Sequence, residues 1–257
     1  MLHRFNPPPT ESANGSAFRK VTVGSLGTDG AFNLSLTGST HQQRPAIFAW
    51  QEVHADVKVV STVISGGLYL LAYRITPNAD GTWHYEYALQ NVNSDLAAGV
   101  LKIPTSPNVA VINTGFHGVA PHSGELVDSS DWDFGRIPSR LTWRCPLGSD
   151  ESLAPHLLRW GTLYNFWFDA DVAPRPGMVS VQSMSESNPI VQFVAQVPSS
   201  GPMVGDLNDD LVVDGTDLGL LLGAWVTGDS VGDLNNDGAV DGSDLGVLLG
   251  SWGAQYW

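Results

Sequence analysis

GTLYNFWF, residues Gly161–Phe168, places five large apolar side chains in eight positions. The run is too short for a stable helix. As a strand it carries apolar groups on both faces, so it predicts a central strand buried within a sheet. Working outward, the same signature recurs. Short runs rich in Val, Ile, Thr and aromatics are broken by Gly, Pro, Asn and Asp. They are AFNLSLTG (31–38), PAIFAWQEV (45–53), ADVKVVSTV (55–63), GLYLLAYRIT (67–76), TWHYEYALQNV (82–92), GVLKIPT (99–105), VAVINTGF (109–116), LTWRC (141–145), GMVSVQSM (177–184) and PIVQFVAQV (189–197). With the opening stretch, around eleven strands are expected. They predict a mainly β domain over residues 1–197, a two-sheet β-sandwich of jelly-roll type.

The charge is divided unevenly. The net charge is −14, yet residues 205–257 hold ten of the 26 acidic residues, all Asp, and none of the 12 Lys and Arg. Such a surface repels nucleic acid and anionic lipid and attracts cations. The Pro- and Ser-rich stretch 198–204 reads as a linker. No run of roughly 18 apolar residues is present, so no membrane insertion is expected. MLHRFNPPPTESANGS has no apolar segment behind its basic residues and does not read as a signal peptide. The chain is therefore expected either to stay inside the cell or to be a mature or truncated form.

The acidic tail is a repeat. GDLNDDLVVDGTDLGLLLGAW (205–225) aligns without gaps on GDLNNDGAVDGSDLGVLLGSW (232–252). Oxygen ligands fall at loop positions 1, 3, 5, 9 and 12, the spacing of a calcium loop. In the first copy they are Asp206, Asn208, Asp210, Asp214 and Asp217; in the second, Asp233, Asn235, Asp237, Asp241 and Asp244. At position 7, Val212 and Ala239 are expected to offer backbone carbonyls. Four carboxylates in one loop repel each other unless a divalent cation compensates them, and an all-oxygen set without His or Cys favours calcium over zinc. Two Ca2+ ions are expected. Leu211 occupies the sixth position of the first loop, where glycine best adopts a positive φ, so the first site is expected to be the weaker.

Each loop is followed by a helix but not preceded by one. Leu218, Leu221, Leu222 and Trp225 form an i, i+3, i+4, i+7 stripe, repeated by Leu245, Leu248, Leu249 and Trp252. Pro198 and Pro202 precede the first loop, and VTGDSV precedes the second. Gly219 and Gly223, then Gly246 and Gly250, each cost about 1 kcal/mol of helix propensity. They are expected either to let the two helices pack closely or to leave a flat face for a partner.

Loop then helix, twice, with Asp at position 12, resembles a type I dockerin, a duplicated F-hand module. The resemblance covers residues 205–257. It implies calcium-dependent docking into a cohesin-like domain, with the ten side chains above as ligands. By position it places partner recognition on Gly215, Thr216, Gly242 and Ser243. In that family the module tethers secreted polysaccharide-degrading or carbohydrate-binding proteins. YEYALQNVNSD, GFHGVAPHSGE, DSSDW and LRWGTLYNFWFDAD in turn resemble uncharacterised bacterial secreted domains that carry such tails. These resemblances imply a secreted or extracellular protein and transfer no catalytic residue.

Chemistry in residues 1–197 is less legible. FHGVAPHSGELVDSSDWDF (116–134) reads as a polar loop holding His117, His122, Glu125, Asp128, Asp131 and Asp133. Trp132, between two aspartates, is expected to be exposed and to stack on a sugar ring, whereas most of the other tryptophans are expected in the core. Glycosidase chemistry would need two carboxylates about 5–10 Å apart. Glu86, Glu125, Asp169 and Asp171 can pair in several ways. Cys145 lacks a local partner and reads as a buried thiol. The leading expectation is a binding or structural β module tethered by the tail, with polysaccharide as its ligand. The alternative is an extracellular carbohydrate-active hydrolase.

Overall fold

The computed structural model describes residues 16–28, 30–64, 67–106, 108–120, 125–137, 139–147, 152–185, 187, 189–198, 205–208, 212–227, 232–235 and 237–253. Among them twelve strands pair antiparallel in three sheets. β1 (Ala17–Leu26) and β2 (Phe32–Gln42) form a separate hairpin whose Val21, Val23, Leu34 and Leu36 are exposed. The other ten are β3 (Lys58–Ile64), β4 (Gly67–Pro77), β5 (Trp83–Asn91), β6 (Ala98–Pro104), β7 (Val111–His117), β8 (Asp133–Ile137), β9 (Arg140–Arg144), β10 (Leu163–Ala170), β11 (Pro174–Ser183) and β12 (Ile190–Pro198). They form one sheet in the order β3-β4-β5-β10-β7 and another in the order β12-β11-β6-β9-β8.

Both five-stranded sheets feed one buried cluster. Tyr85, Tyr87, Tyr164, Phe166 and Phe168 come from the first, and Leu101, Trp143, Val181 and Phe193 from the second. Tyr85 and Phe168 stack with ring centroids 4.9 Å apart. β10 lies between β5 and β7, as its composition predicts, but only one of its faces is closed. Tyr164, Phe166 and Phe168 are buried, whereas Leu163, Asn165 and Trp167 on the opposite face are half-buried. β4 is the strand buried on both sides. Its Tyr69 and Leu71 enter the shared cluster, while Leu68, Leu70 and Ala72 enter a second cluster under a short helix.

That helix, α1 (Phe48–Val53), corrects an expectation, because PAIFAWQEV was expected as a strand. Pro45 starts a turn: Phe48 N donates to Pro45 O at 3.1 Å and Ala49 N to Ala46 O at 2.9 Å. The backbone of Ile47 is tied to the sheet by Gln90 Oε1 at 3.2 Å. One turn of helix then directs Ile47 and Trp50, three residues apart, onto Leu70 and Ala88. β1 and β8 are the strands not foreseen. QNVN, residues 90–93, supplies the polar hub at this end of the sheet. Fully buried Asn91 donates to the Tyr69 hydroxyl at 3.0 Å and accepts from Ser94 N at 2.8 Å, and Asn93 Oδ1 accepts from Leu68 N at 2.7 Å.

In the tail, α2 (Gly215–Thr227) and α3 (Gly242–Gly250) each follow a loop, as the repeat predicts. Val213, Leu221 and Leu248 form the small core between them, joined by Leu207, Leu218, Leu234, Val240 and Leu245. The halves interlock reciprocally. Gly205 lies against Leu248 and Ser251 of the second half, and Gly232 lies against Ala224 of the first. Gly219, Gly223, Gly246 and Gly250 do not mediate packing between the two helices, since among the described residues a Cβ built at any of them meets nothing within 4 Å. Among the described residues no helix is long and apolar enough to cross a membrane.

Candidate functional sites

The second calcium-type loop is wound around its own side chains. Asp233 accepts from the amides of Asp237 at 3.1 Å and Gly238 at 2.9 Å; Asn235 Oδ1 accepts from Asp237 N at 2.8 Å, and Asp237 Oδ1 from Ala239 N at 3.0 Å. Gly238, at position 6, has φ +91°, the left-handed conformation this position requires. Asp244 is inaccessible to solvent. Its Oδ1 accepts from Leu234 N and Asn235 N at 2.8 and 3.2 Å, and its Oδ2 from Asp241 N at 2.8 Å. These amides, that of Asp241 first, hold its carboxyl below the usual range despite the opposing effect of desolvation.

The first loop repeats this arrangement. Buried Asp217 accepts from Leu207, Asn208 and Asp214 amides at 2.8, 3.3 and 2.9 Å. Asp214 accepts from Thr216 N at 2.7 Å, matching Asp241 and Ser243 N at 2.7 Å. Asp206 is buried, Val212 and Asp214 are half-buried and Asn208 is exposed, whereas Asp210 and Leu211 lie outside the described residues. Among the described residues no three His, Cys, Asp or Glu side chains converge as a preformed metal cluster. The fit to calcium lies in the donor set. All five side chains of the second copy offer oxygen, the donor type calcium takes, and Gly238 supplies the turn at position 6. Gly215, Thr216, Gly242 and Ser243 are exposed at the starts of α2 and α3.

In the β domain the expectation for Trp132 is overturned. Trp132 is 3% exposed. Its Nε1 donates to His156 O at 2.7 Å, and its ring stacks on Phe116 at 5.6 Å. It is a core residue, and the expected sugar platform is not there. Of the other tryptophans, Trp143 is core at 1% exposed, whereas Trp160 is 68% exposed in a turn closed by Thr162 N on Arg159 O. Of the histidines in that segment, His117 ends β7 opposite Asn165, and His122 lies outside the described residues. Cys145 is buried as expected, and burial pushes its thiol up to about 11.

The four candidate carboxylates fall in three places. Glu125 pairs with Arg159 at 3.2 Å, and Asp171 accepts from Ala110 N at 2.8 Å. Glu86 and Asp169 share the outer face of the first five-stranded sheet, where Asp169 faces His84 across the ladder and Glu86 faces Trp167. Asp169 is buried and fully engaged. Its Oδ1 meets His84 Nδ1 at 2.7 Å, and its Oδ2 accepts from Asn113 Nδ2 at 2.5 Å. Burial opposes its charge, but the Asn113 amide and His84 outweigh that and hold the carboxyl below its usual range. Asn113 has φ +51° at an irregularity of β7, a conformation that costs about 1 kcal/mol or more outside glycine. His84 and Asn113 escaped the sequence reading because nothing local marks them; only the strand register brings them to Asp169.

Asp169→Asn is expected to destabilise the domain by about 1–3 kcal/mol, because an amide cannot accept at both ends as the carboxylate does: its nitrogen must either face the Asn113 amide, a donor, or force His84 Nδ1 to act as the acceptor, and the charge is lost in both cases. The native carboxyl lies below its unfolded value near 3.9. Its stabilisation is therefore present above that value and lost as pH falls through the native one. Thermal melts between pH 3 and 7 should show the loss in the parent chain and a flatter acid limb in the variant. An unchanged melting temperature at neutral pH would contradict the account.

No family model matches the chain, and no curated relative does. Two structures of a GH20 exo-β-N-acetylglucosaminidase from Vibrio harveyi are similar at 13% identity and a TM-score of 0.29. One is in complex with N-acetylglucosamine and one is an inactive mutant. The similarity covers 51% of this chain, which spans only 18% of that enzyme.

Proposed function

We propose that residues 205–257 are a calcium-dependent docking module similar to a type I dockerin, and that it tethers an extracellular β-sandwich binding module to a cohesin-like partner. The observation that carries this reading is the open side of the tail. α2 leaves Gly219, Leu220, Leu222, Gly223 and Trp225 exposed, and the second repeat leaves Gly246, Leu249, Gly250 and Trp252 exposed. A module that keeps so small a core while presenting large apolar groups beside glycine gaps has the surface of a partner site. Bound calcium would neutralise the loop carboxylates. The residues to hold it are Asp206, Asn208, Asp210, Asp214 and Asp217 in one loop and Asp233, Asn235, Asp237, Asp241 and Asp244 in the other, with the carbonyls of Val212 and Ala239. Thr216 and Ser243 stand at equivalent places in the two halves, so the docking face is doubled.

Calorimetry on the full chain tests the ion. Two calcium ions should bind per chain, and Asp233→Ala combined with Asp237→Ala should reduce this to one. No calcium uptake, or two ions still bound by the variant, would contradict the assignment.

The two sheets around one aromatic core support the sandwich, and the state of Asp169 favours binding over hydrolysis in this module. A hydrolytic pair would require both carboxylates free to act, one as the acid and the other as base or nucleophile. Of the two acids on the outer face, Asp169 is committed to His84 and Asn113.

A further inference from the structure

The outer face of the β3-β4-β5-β10-β7 sheet is only partly covered by α1. Beside the helix a pocket of about 260 Å³ opens over β5 and β10. Ile47, Trp50, Ala88 and Leu163 give it an apolar wall, and Glu86 and Asn165 are its polar groups. We propose that this pocket binds one ring of a neutral saccharide. This rests on reading the β domain as a binding module, and it moves the ligand site from Trp132 to a different surface.

The chemistry of the lining selects the ligand. A pyranose ring has an apolar face and an edge of hydroxyls. Trp50 and Leu163 suit the face, and Glu86 and Asn165 suit the edge. A carboxylate accepts hydrogen bonds, whereas the Asn165 amide both donates and accepts, so Glu86 and Asn165 satisfy neighbouring hydroxyls in complementary senses. Glu86 repels anionic ligands. The cation facing it across the ladder, Arg74, donates through Nε to Asp56 at 2.8 Å, so its charge is compensated there rather than offered to a phosphate or carboxylate. The volume suits one ring rather than a larger cofactor.

The face continues beyond the pocket. Trp167 stands opposite Glu86 in register and two residues from Asn165, on the same side of the sheet. Its indole lies against β7 at Gly115, where a Cβ would fall 2.1 Å from the ring. The close approach is possible because residue 115 is glycine, and it leaves a half-buried aromatic surface where the next ring of a chain would lie. This makes the site a short track with a carboxylate and an amide between two tryptophans.

Isothermal calorimetry of the full chain against neutral xylo-, cello-, manno- and N-acetylated chito-oligosaccharides, with anionic oligogalacturonides as the charged arm of the panel, tests the proposal. At least one neutral oligosaccharide should bind. Glu86→Gln and Asn165→Ala, which alter half-buried surface groups, should each weaken it roughly tenfold, and Trp160→Ala should leave it unchanged. Trp50→Phe, which keeps an aromatic against the sheet, should weaken binding less than Trp50→Ala. If an oligosaccharide binds but Glu86→Gln and Asn165→Ala match the parent chain, the pocket is wrong and the binding-module reading survives. If no oligosaccharide in the panel binds, both fall. Binding restricted to charged sugars would overturn the neutral assignment.

Discussion

Replacing Trp132 with alanine will destabilise the β domain by about 3–5 kcal/mol, the cost of removing a large aromatic from a packed core. For a chain of this size that is a drop in melting temperature of roughly 10 °C. The indole is 3% exposed, donates to His156 O at 2.7 Å, stacks on Phe116 and meets Tyr164 edge-on at 5.7 Å. Alanine would open a cavity among these rings and leave the His156 carbonyl without that donor. Trp132→Phe should recover most of the packing but not the hydrogen bond, and so fall between the two. A sugar-stacking role would give the opposite pattern, an unchanged melt with lost retention on polysaccharide. Thermal denaturation of the three proteins decides between them.

Asp244→Ala is expected to unfold the second repeat. The buried carboxylate is the acceptor for three amides, those of Leu234, Asn235 and Asp241, and the Asp241 side chain caps α3 in return through Ser243 N. Removing it leaves three donors without an acceptor and frees the start of the helix, so that Leu248 leaves the cluster with Val213 and Leu221. Hydrogen exchange should show protection lost across 233–250 and retained in β4, β5 and β10. Because the native carboxyl is held below its usual range, the stability it contributes is present at neutral pH and lost as pH falls through the native value. Acid should therefore loosen the tail. Unaltered exchange in α3 of the variant would show that the amide cage is dispensable.

The parts of this molecule that were legible from sequence are those written in local periodicity. The β10 aromatics, the apolar run of β4 and the loop-helix repeat all reveal themselves within a dozen residues. Trp132 misleads for a physical reason. In extended backbone neighbours point oppositely, so exposed Asp131 and Asp133 imply a buried residue between them rather than a shared exposure. PAIFAWQEV has strand-like composition, yet Pro45 and the Gln90 contact to Ile47 make a helical turn of it, a tertiary override of propensity. The tail glycines admit two readings from sequence, and only the open space around them selects the exposed face. The outer-face track was not visible at all. Trp50, Glu86, Asn165 and Trp167 lie far apart in sequence, and the pairing of β5 with β10 and the seating of α1 bring them together.

Amide hydrogen exchange of the intact chain, measured with saturating calcium and again with excess chelator, tests the calcium-dependent tether most directly. With calcium, the amides of α2, α3 and both loops should be protected. With chelator that protection should collapse in residues 205–253 alone, while β4, β5 and β10 exchange as before, and restoring calcium should restore it. Identical protection of α2 and α3 in calcium and chelator would show that the repeat folds on its hydrogen bonds and apolar core without an ion, and would contradict the central claim.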